Sequence, residues 1–432
     1  MNEPATHSRA DYLMVLPVRH FRTHDNRVAV ESAFAEHLRM MRSRIGASVH
    51  RLLVASPAMS STAYEAAKRG FSEIDELSES IAFYTLFSDD AVGSTPGKLR
   101  ALLPVMKTIY RLARRSLCVH SGLSWDVWLP FEFASILCGI LLGRRTVFVV
   151  DIDYRNSAWM SYRNGDWSRK SYLLCRYVYD TARSLQVAIA ARYCSLVLLK
   201  GRKMADDFGA GRASVKAFLD ASHSERNIIP QSTLDEKLVT VRDSNAPLRL
   251  VYFGRLTAYK GIDRCIRAAA AARAAGANLT LDVIGGGEQM DSLRGLAREL
   301  KADSWLTFHG PMSFDQRFFE KLYSFHLLLA APLREDTPRS ALDAMAAGIP
   351  YLAFGTYYYR ELLESGAGRV VPWPDVQAMG IELARLDQNR PEIAQMIESA
   401  VAFAHLNTQE IWLERRFAWT MASALEQSSS RP

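Results

Sequence analysis

Eleven short runs of β-branched, aromatic and other apolar residues recur along this chain, each followed by a segment long enough for a helix. They fall at 12–16, 51–55, 116–120, 146–150 and 195–199 in the first half. In the second half they fall at 248–253, 279–284, 305–309, 326–330, 350–354 and 369–371. Connecting stretches such as 262–275 and 289–300 space their apolar residues as helices do. Alternation of this kind predicts an α/β chain of parallel sheets covered by helices. Runs that stay apolar throughout, without alternating polar positions, predict sheets buried on both faces. A length of 432 residues exceeds what one core usually serves. The polar segment 230–247, with Pro230 and Pro247 at its ends, divides the chain into two halves of similar size. The expected domains are 1–235, 245–410 and a last helix within 411–432 followed by a disordered tail. Two open α/β domains facing each other leave a cleft, and such sheets bind ligands at the carboxyl ends of their strands.

The composition narrows the class. Hydrophobic residues make up 49% and charged residues 23%, enough for a sizeable core in an ordinary globular protein. The five cysteines are odd in number and scattered, which fits neither a disulfide framework nor a zinc pattern and points to a reducing compartment. The first residues, MNEPATHSRADY, lack the charged-then-apolar pattern of a signal peptide. The longest clean apolar run, 133–143, falls well short of the ~20 residues a spanning helix needs, so a buried helix is expected there. The net charge of +7 sits in the first half, a property that bears on partners and not on fold. No nucleic-acid-binding motif accompanies it.

Three features stand at successive strand ends in the second half. In VYFGRLTAYKG, a strand leads to Gly254 and Arg255, and Lys260 follows just before a helix. A helix start offers unpaired N–H groups and a favourable dipole to an anion, and the two side chains add full charges. In IGGGE, Gly286 is the middle of three glycines after a strand, where backbone without Cβ can approach a ligand closely. In APLREDTPRSALDAMAAGIP, a strand enters a polar loop, and a helix expected to begin near Pro338 ends near Gly348. Glu335 lies in that loop and Asp343 inside the helix, so the two carboxylates can address one ligand, with Arg339 and Ser340 at the helix start between them.

Taken together, G-R-L-x-x-x-K-G at 254–261, the I-G-G-G-E loop, F-H-G-P at 308–311 and Glu335-x(7)-Asp343 followed by A-M-A-A-G-I-P resemble the nucleotide-binding domain of a GT-B-fold retaining glycosyltransferase of family four, the "group one" transferases. The resemblance runs from about residue 248 to the last helix; in the first half it rests only on the alternating pattern. It implies a GT-B fold, two Rossmann-like domains facing a central cleft. It also implies transfer of a sugar from a nucleotide-sugar to a saccharide or lipid-linked acceptor in polysaccharide or surface-glycan synthesis. The resemblance implies no separate cofactor, because the nucleotide-sugar is a co-substrate, and no metal, because the Arg, the Lys and the helix end take its place at the diphosphate. By the resemblance, Arg255 and Lys260 hold the diphosphate, N–H groups near Arg339 and Ser340 contact phosphate, Glu335 meets the transferred sugar and Asp343 the ribose. The family usually has Glu where Asp343 stands. A sugar-nucleotide epimerase on the same fold, or a non-catalytic glycan- or nucleotide-binding protein, are the alternatives.

The first half adds three readings. VFVVDIDYR ends a strand in Asp151 and Asp153. An Asp-x-Asp pair holds a metal in another transferase fold; here one of the two can instead orient the acceptor or sugar, or accept a proton, and simple capping is the structural alternative. The loop 17–27 carries Arg19, His20, Arg22, His24 and Arg27, an acceptor-phosphate site or a solvated loop. The segment KLRALLPVMKTIYRLARRSL is a basic amphipathic helix, with Pro104 either kinking it or starting a new one. Such a helix either lies on anionic membrane or packs its apolar face in the domain. A cytoplasmic location, peripheral to the inner face of the membrane, is the corresponding expectation.

Overall fold

Every one of the eleven apolar runs forms a strand, with ends shifted by at most a few residues, in a computed structural model that describes residues 10–24, 26–46 and 49–425. In chain order the strands are β1 (Asp11–Val15), β2 (Phe21–His24), β3 (Arg27–Glu31), β4 (Leu52–Ala58), β5 (Phe71–Asp75), β6 (Ile81–Ser88), β7 (Ser116–Gly122) and β8 (Arg145–Val150). They continue with β9 (Leu196–Lys200), β10 (Val215–Phe218), β11 (Leu248–Phe253), β12 (Leu279–Ile284), β13 (Leu306–Gly310), β14 (Leu327–Ala330), β15 (Tyr351–Phe354) and β16 (Gly368–Val371).

Among the described residues they build two parallel sheets, in the orders β10-β9-β8-β7-β1-β4-β6 and β13-β12-β11-β14-β15-β16. Strands such as β9, β14 and β15 are buried at every position, which is why they read as unbroken apolar runs. Each sheet reverses its winding beside its own first strand, between β1 and β7 in one and between β11 and β14 in the other. A reversal sends neighbouring loops to opposite sides and opens a crevice at the strands' carboxyl ends. That puts one crevice in each domain.

The two edge strands of the larger sheet, β6 and β10, fall outside the eleven runs, and three further elements depart from the expectations. A small antiparallel sheet, β2-β3-β5, sits at the edge of the first domain, where local charge pairs hid its alternation. The segment 230–247 is no free seam. Most of it is the helix Gln231–Arg242, whose Leu234, Leu238 and Val241 sink into the core of the second domain. The crossing between domains is therefore earlier, after β10, because these apolar positions are buried only against the second sheet. Finally, the helix Thr95–Arg115 runs through Pro104 without a break, with the proline on its exposed face.

The helix Gln409–Thr420 returns to the first domain. Trp412, Leu413 and Phe417 pack with Tyr12, Leu38 and Phe218, and Glu414 pairs with Arg44 at 2.6 Å. The tail beyond Leu425, expected to be disordered, lies outside the described residues, as does the start of the chain. All five cysteines are free.

Candidate active site

Loops after β11, β12 and β14 form the crevice of the second domain, and two glycines fix how closely they meet. A Cβ on Gly285 would stand 1.9 Å from the carbonyl oxygen of Gly254, and one on Gly261 would stand 1.9 Å from that of Ala331; both glycines have positive φ. Backbone bonds lock the loops together: Leu256 N–H to the Gly286 carbonyl at 3.0 Å, and Leu333 N–H to the Tyr259 carbonyl at 2.7 Å. The flanking glycines of IGGGE thus serve loop-on-loop packing rather than approach to a ligand. Gly286 itself lines a hollow with Gly254, Arg255, Pro311, Met312 and Phe314.

A second, smaller hollow adjoins it through Phe253 and is lined by Lys260, Asp336, Thr337, Ser340 and Tyr359. Here the start of the helix Arg339–Ala346 faces Lys260, and Ser340 lies close to Gly254. The structure therefore brings Gly254, Arg255, Lys260, Gly286 and Ser340 to adjoining hollows at the sheet's reversal point. Arg255 is exposed, its guanidinium 3.3 Å from the Tyr259 hydroxyl. Lys260 is not free: its ammonium forms an ion pair with Asp336. Arg339 points away, to Asp220 at 2.7 Å in the segment joining the domains.

Glu335 and Asp343 do not share one open ligand space. Both are buried. Glu335 accepts from the backbone N–H of Tyr357 at 3.1 Å and, across the domain boundary, from the Asn156 side chain at 2.9 Å. Burial pushes its carboxyl up to about 7, against the lowering effect of those two donors. Asp343 turns to the crossing segment, accepting from the N–H groups of Ser222 at 2.8 Å and His223 at 2.9 Å. The expected ribose contact is thus replaced by a tie between helix and linker. A carboxylate one methylene shorter than Glu stays near its own helix and reaches the backbone beside it.

In the first domain Asp151 and Asp153 diverge. Asp153 is buried and held by Arg155, whose Nε donates to it at 2.8 Å, while its own N–H donates to the Tyr358 hydroxyl at 2.7 Å. It is a tie between domains, which removes it as an acceptor-facing residue. Asp151 is exposed and lines the first domain's crevice, at the ends of β1, β7 and β8, with Phe34, His37, His120, Trp125 and Arg416. The pair does not converge on one point. Among the described residues no group of three or more His, Cys, Asp or Glu is placed to hold a metal ion.

The basic loop 17–27 is committed locally. Arg19 pairs with Asp89 at 2.9 Å, Arg22 with Glu76 at 2.6 Å and Arg27 with Glu73 at 3.3 Å. His20 is buried between Ser56 and Thr85, and burial lowers it to about 4. Sequence reasoning missed Asn156, Asp336 and Arg416. Asp336 was visible as the neighbour of Glu335; Arg416 carried no signal, because only the return of the last helix brings it to the cleft.

Residues 240–402 match the model of the "Glycosyl transferases group 1" family. A curated relative, the GtfA subunit of the UDP-N-acetylglucosamine–peptide N-acetylglucosaminyltransferase of Streptococcus gordonii, is 28% identical over 130 residues, 30% of this chain and 25% of that protein. Among solved structures, Anabaena Alr3699/HepE in complex with UDP superposes with a TM-score of 0.61 at 15% identity, covering 95% of this chain and all of that one. WaaG, a glycosyltransferase involved in lipopolysaccharide biosynthesis, superposes with a TM-score of 0.59 at 14% identity, covering 95% and 99%. The chain therefore has the GT-B fold, and its second domain is similar to that of the group 1 glycosyl transferases over residues 240–402.

Proposed function

We propose that this protein is a retaining glycosyltransferase that moves a hexose from a nucleotide-sugar to a saccharide or lipid-linked acceptor in glycan synthesis, without a metal. One observation carries the reading: Lys260, Arg255 and the start of the helix Arg339–Ala346 meet at adjoining hollows in the second domain. Transfer breaks the anomeric C–O bond while negative charge grows on the departing diphosphate. Fixed cations and helix N–H groups stabilise that charge where it develops. Uridine is the base favoured here, because HepE was solved with UDP and the GtfA relative is named for UDP-N-acetylglucosamine. The open hollow of Pro311, Met312, Phe314 and Gly286 offers a flat apolar bed for such a base. Glu335 would meet the sugar hydroxyls by exchanging its contacts with Asn156 and the Tyr357 N–H for them when donor binds.

A thermal-shift screen of UDP-, GDP-, ADP- and dTDP-sugars in EDTA tests the reading, since a ligand that binds only the folded state raises its apparent stability. UDP-sugars are expected to raise Tm and to release UDP in proportion to added acceptor. A response seen only with divalent ions, or none to any nucleotide-sugar, contradicts it.

Peripheral membrane contact is part of the same proposal. The helix Thr95–Arg115 buries Val105, Ile109 and Leu112, while Leu99, Leu103 and Tyr110 stay exposed beside Arg100, Lys107, Arg111 and Arg114. Exposed apolar residues flanked by cations suit an anionic lipid surface. The protein is expected to sediment with anionic vesicles and not with neutral ones, and Leu103→Glu with Tyr110→Glu should abolish that binding. No helix among the described residues is long and apolar enough to cross a membrane.

A further inference from the structure

The crevice of the first domain does not end at Asp151. A hollow of about 340 Å³ lies at the ends of β1, β7 and β8. Another of about 360 Å³ lies between the helix Ser32–Ile45, the crossing segment and the returning helix Gln409–Thr420, and reaches Arg339. His37 and Arg416 line both, so the two form one trough.

Its ends differ in chemistry. At the Asp151 end stands Trp125, 46% exposed, with the Arg183 guanidinium 4.5 Å from its ring and Tyr154 edge-on to it. A held aromatic face beside a carboxylate suits a sugar, whose C–H face stacks and whose hydroxyl donates. The other end is charged, lined by Arg339 and Arg416 with Glu36 and Asp220. Asp220 there is met by both Lys200 at 3.1 Å and Arg339 at 2.7 Å, which leaves that trio with one cation in excess. Glu36 shares the Arg39 guanidinium, at 3.1 Å, with Glu79, at 2.7 Å. Arg416 stands 4.7 Å over the Phe218 ring and has no carboxylate partner among the described residues.

We infer that this trough is the acceptor site and that the acceptor is a saccharide bearing an anionic group, a phosphate or a carboxylate, which Arg416 reads. The inference rests on the transferase reading above. A half-buried guanidinium without a counter-charge is costly, and its planar fork matches phosphate and carboxylate oxygens. His37, adjacent and held low by burial and then by Arg416, is a neutral hydrogen-bonding partner for the same group. Because Arg416 comes from the last helix, the anion subsite exists only when that helix is docked on the first domain.

The test uses the full chain, as wild type, Arg416→Gln and Arg416→Lys, by calorimetric titration with and without saturating UDP. The probes are glucose, glucuronate, inorganic phosphate and inorganic pyrophosphate. At least one anion is expected to bind about tenfold more tightly than glucose, a difference of about 1.4 kcal/mol. Arg416→Gln should erase that advantage, Arg416→Lys should restore part of it, and UDP affinity should stay unchanged in all three. Preference for pyrophosphate identifies a diphosphate-linked acceptor; preference for glucuronate identifies an acidic sugar. The inference is overturned if no anion binds better than glucose, or if Arg416→Gln weakens UDP as much as the anions, since Arg416 would then serve the donor. Failure of the wild type to bind UDP would instead strike the transferase reading, and the anion comparison without UDP would still decide the role of Arg416.

Discussion

Replacing Glu335 with Gln is expected to lower turnover by about 10²–10³ while making the protein more stable at pH 8. The two effects share one cause. Glu335 is buried, and despite hydrogen bonds from Asn156 and the Tyr357 N–H its carboxyl is pushed up from 4.5 to about 7. Between those values the folded protein holds a proton that the unfolded chain has released. Stability therefore falls as pH rises through that window, and the full cost, on the order of 3 kcal/mol, is present above about 7. Gln keeps an oxygen for Asn156 but cannot ionise, so Glu335→Gln should raise Tm at pH 8 and change it little near pH 4. Wild-type activity should climb as pH passes 7, because only the carboxylate accepts from two sugar hydroxyls at once. Glu132, also buried and pushed up to about 7, titrates in the same window. The difference between wild type and Glu335→Gln, not the raw profile, isolates Glu335. Parallel Tm curves for the two proteins from pH 4 to pH 8 would refute the assignment.

The second large effect concerns Lys260. Lys260→Ala should weaken nucleoside diphosphate binding at least tenfold and cut turnover by about 10²–10³, the usual loss when one preorganised donor to a developing anion is removed. Asp336→Asn should act in the opposite direction. In the free protein Lys260 is paired with Asp336, and the side chains of both are 21% exposed. Donor phosphate must displace that carboxylate or bind beside it. A neutral amide leaves the ammonium available, so UDP affinity should rise by about fivefold and its salt dependence should steepen. If Asp336→Asn weakens UDP binding as Lys260→Ala does, the pair acts as one unit and Asp336 is not a competitor.

The fold was largely legible because strands buried on both faces write themselves as unbroken apolar runs, as at 248–253 and 279–284, whose bounds are those of β11 and β12. The strands of the small antiparallel sheet, β2, β3 and β5, short and mixed with charged residues, gave no such signal. The helix Gln231–Arg242 was mistaken for a seam, since its few buried positions are outnumbered by polar ones. In the site, Gly254, Arg255, Lys260 and Ser340 were readable because strand-end loops place them in local sequence order. What escaped were contacts made at a distance. Asn156 reaches Glu335, Asp343 reaches Ser222, and Arg416 reaches the trough only through the docking of two domains and the return of the last helix. Asp153 shows the converse: a suggestive motif position whose carboxylate is committed to its neighbour Arg155.

Calorimetric titration of UDP into wild type and Lys260→Ala, both in EDTA, probes the heart of this account. Binding to the wild type, weakened at least tenfold in Lys260→Ala, is the predicted result. Equal affinity for the two proteins, or wild-type binding that appears only when a divalent ion is restored, would contradict it.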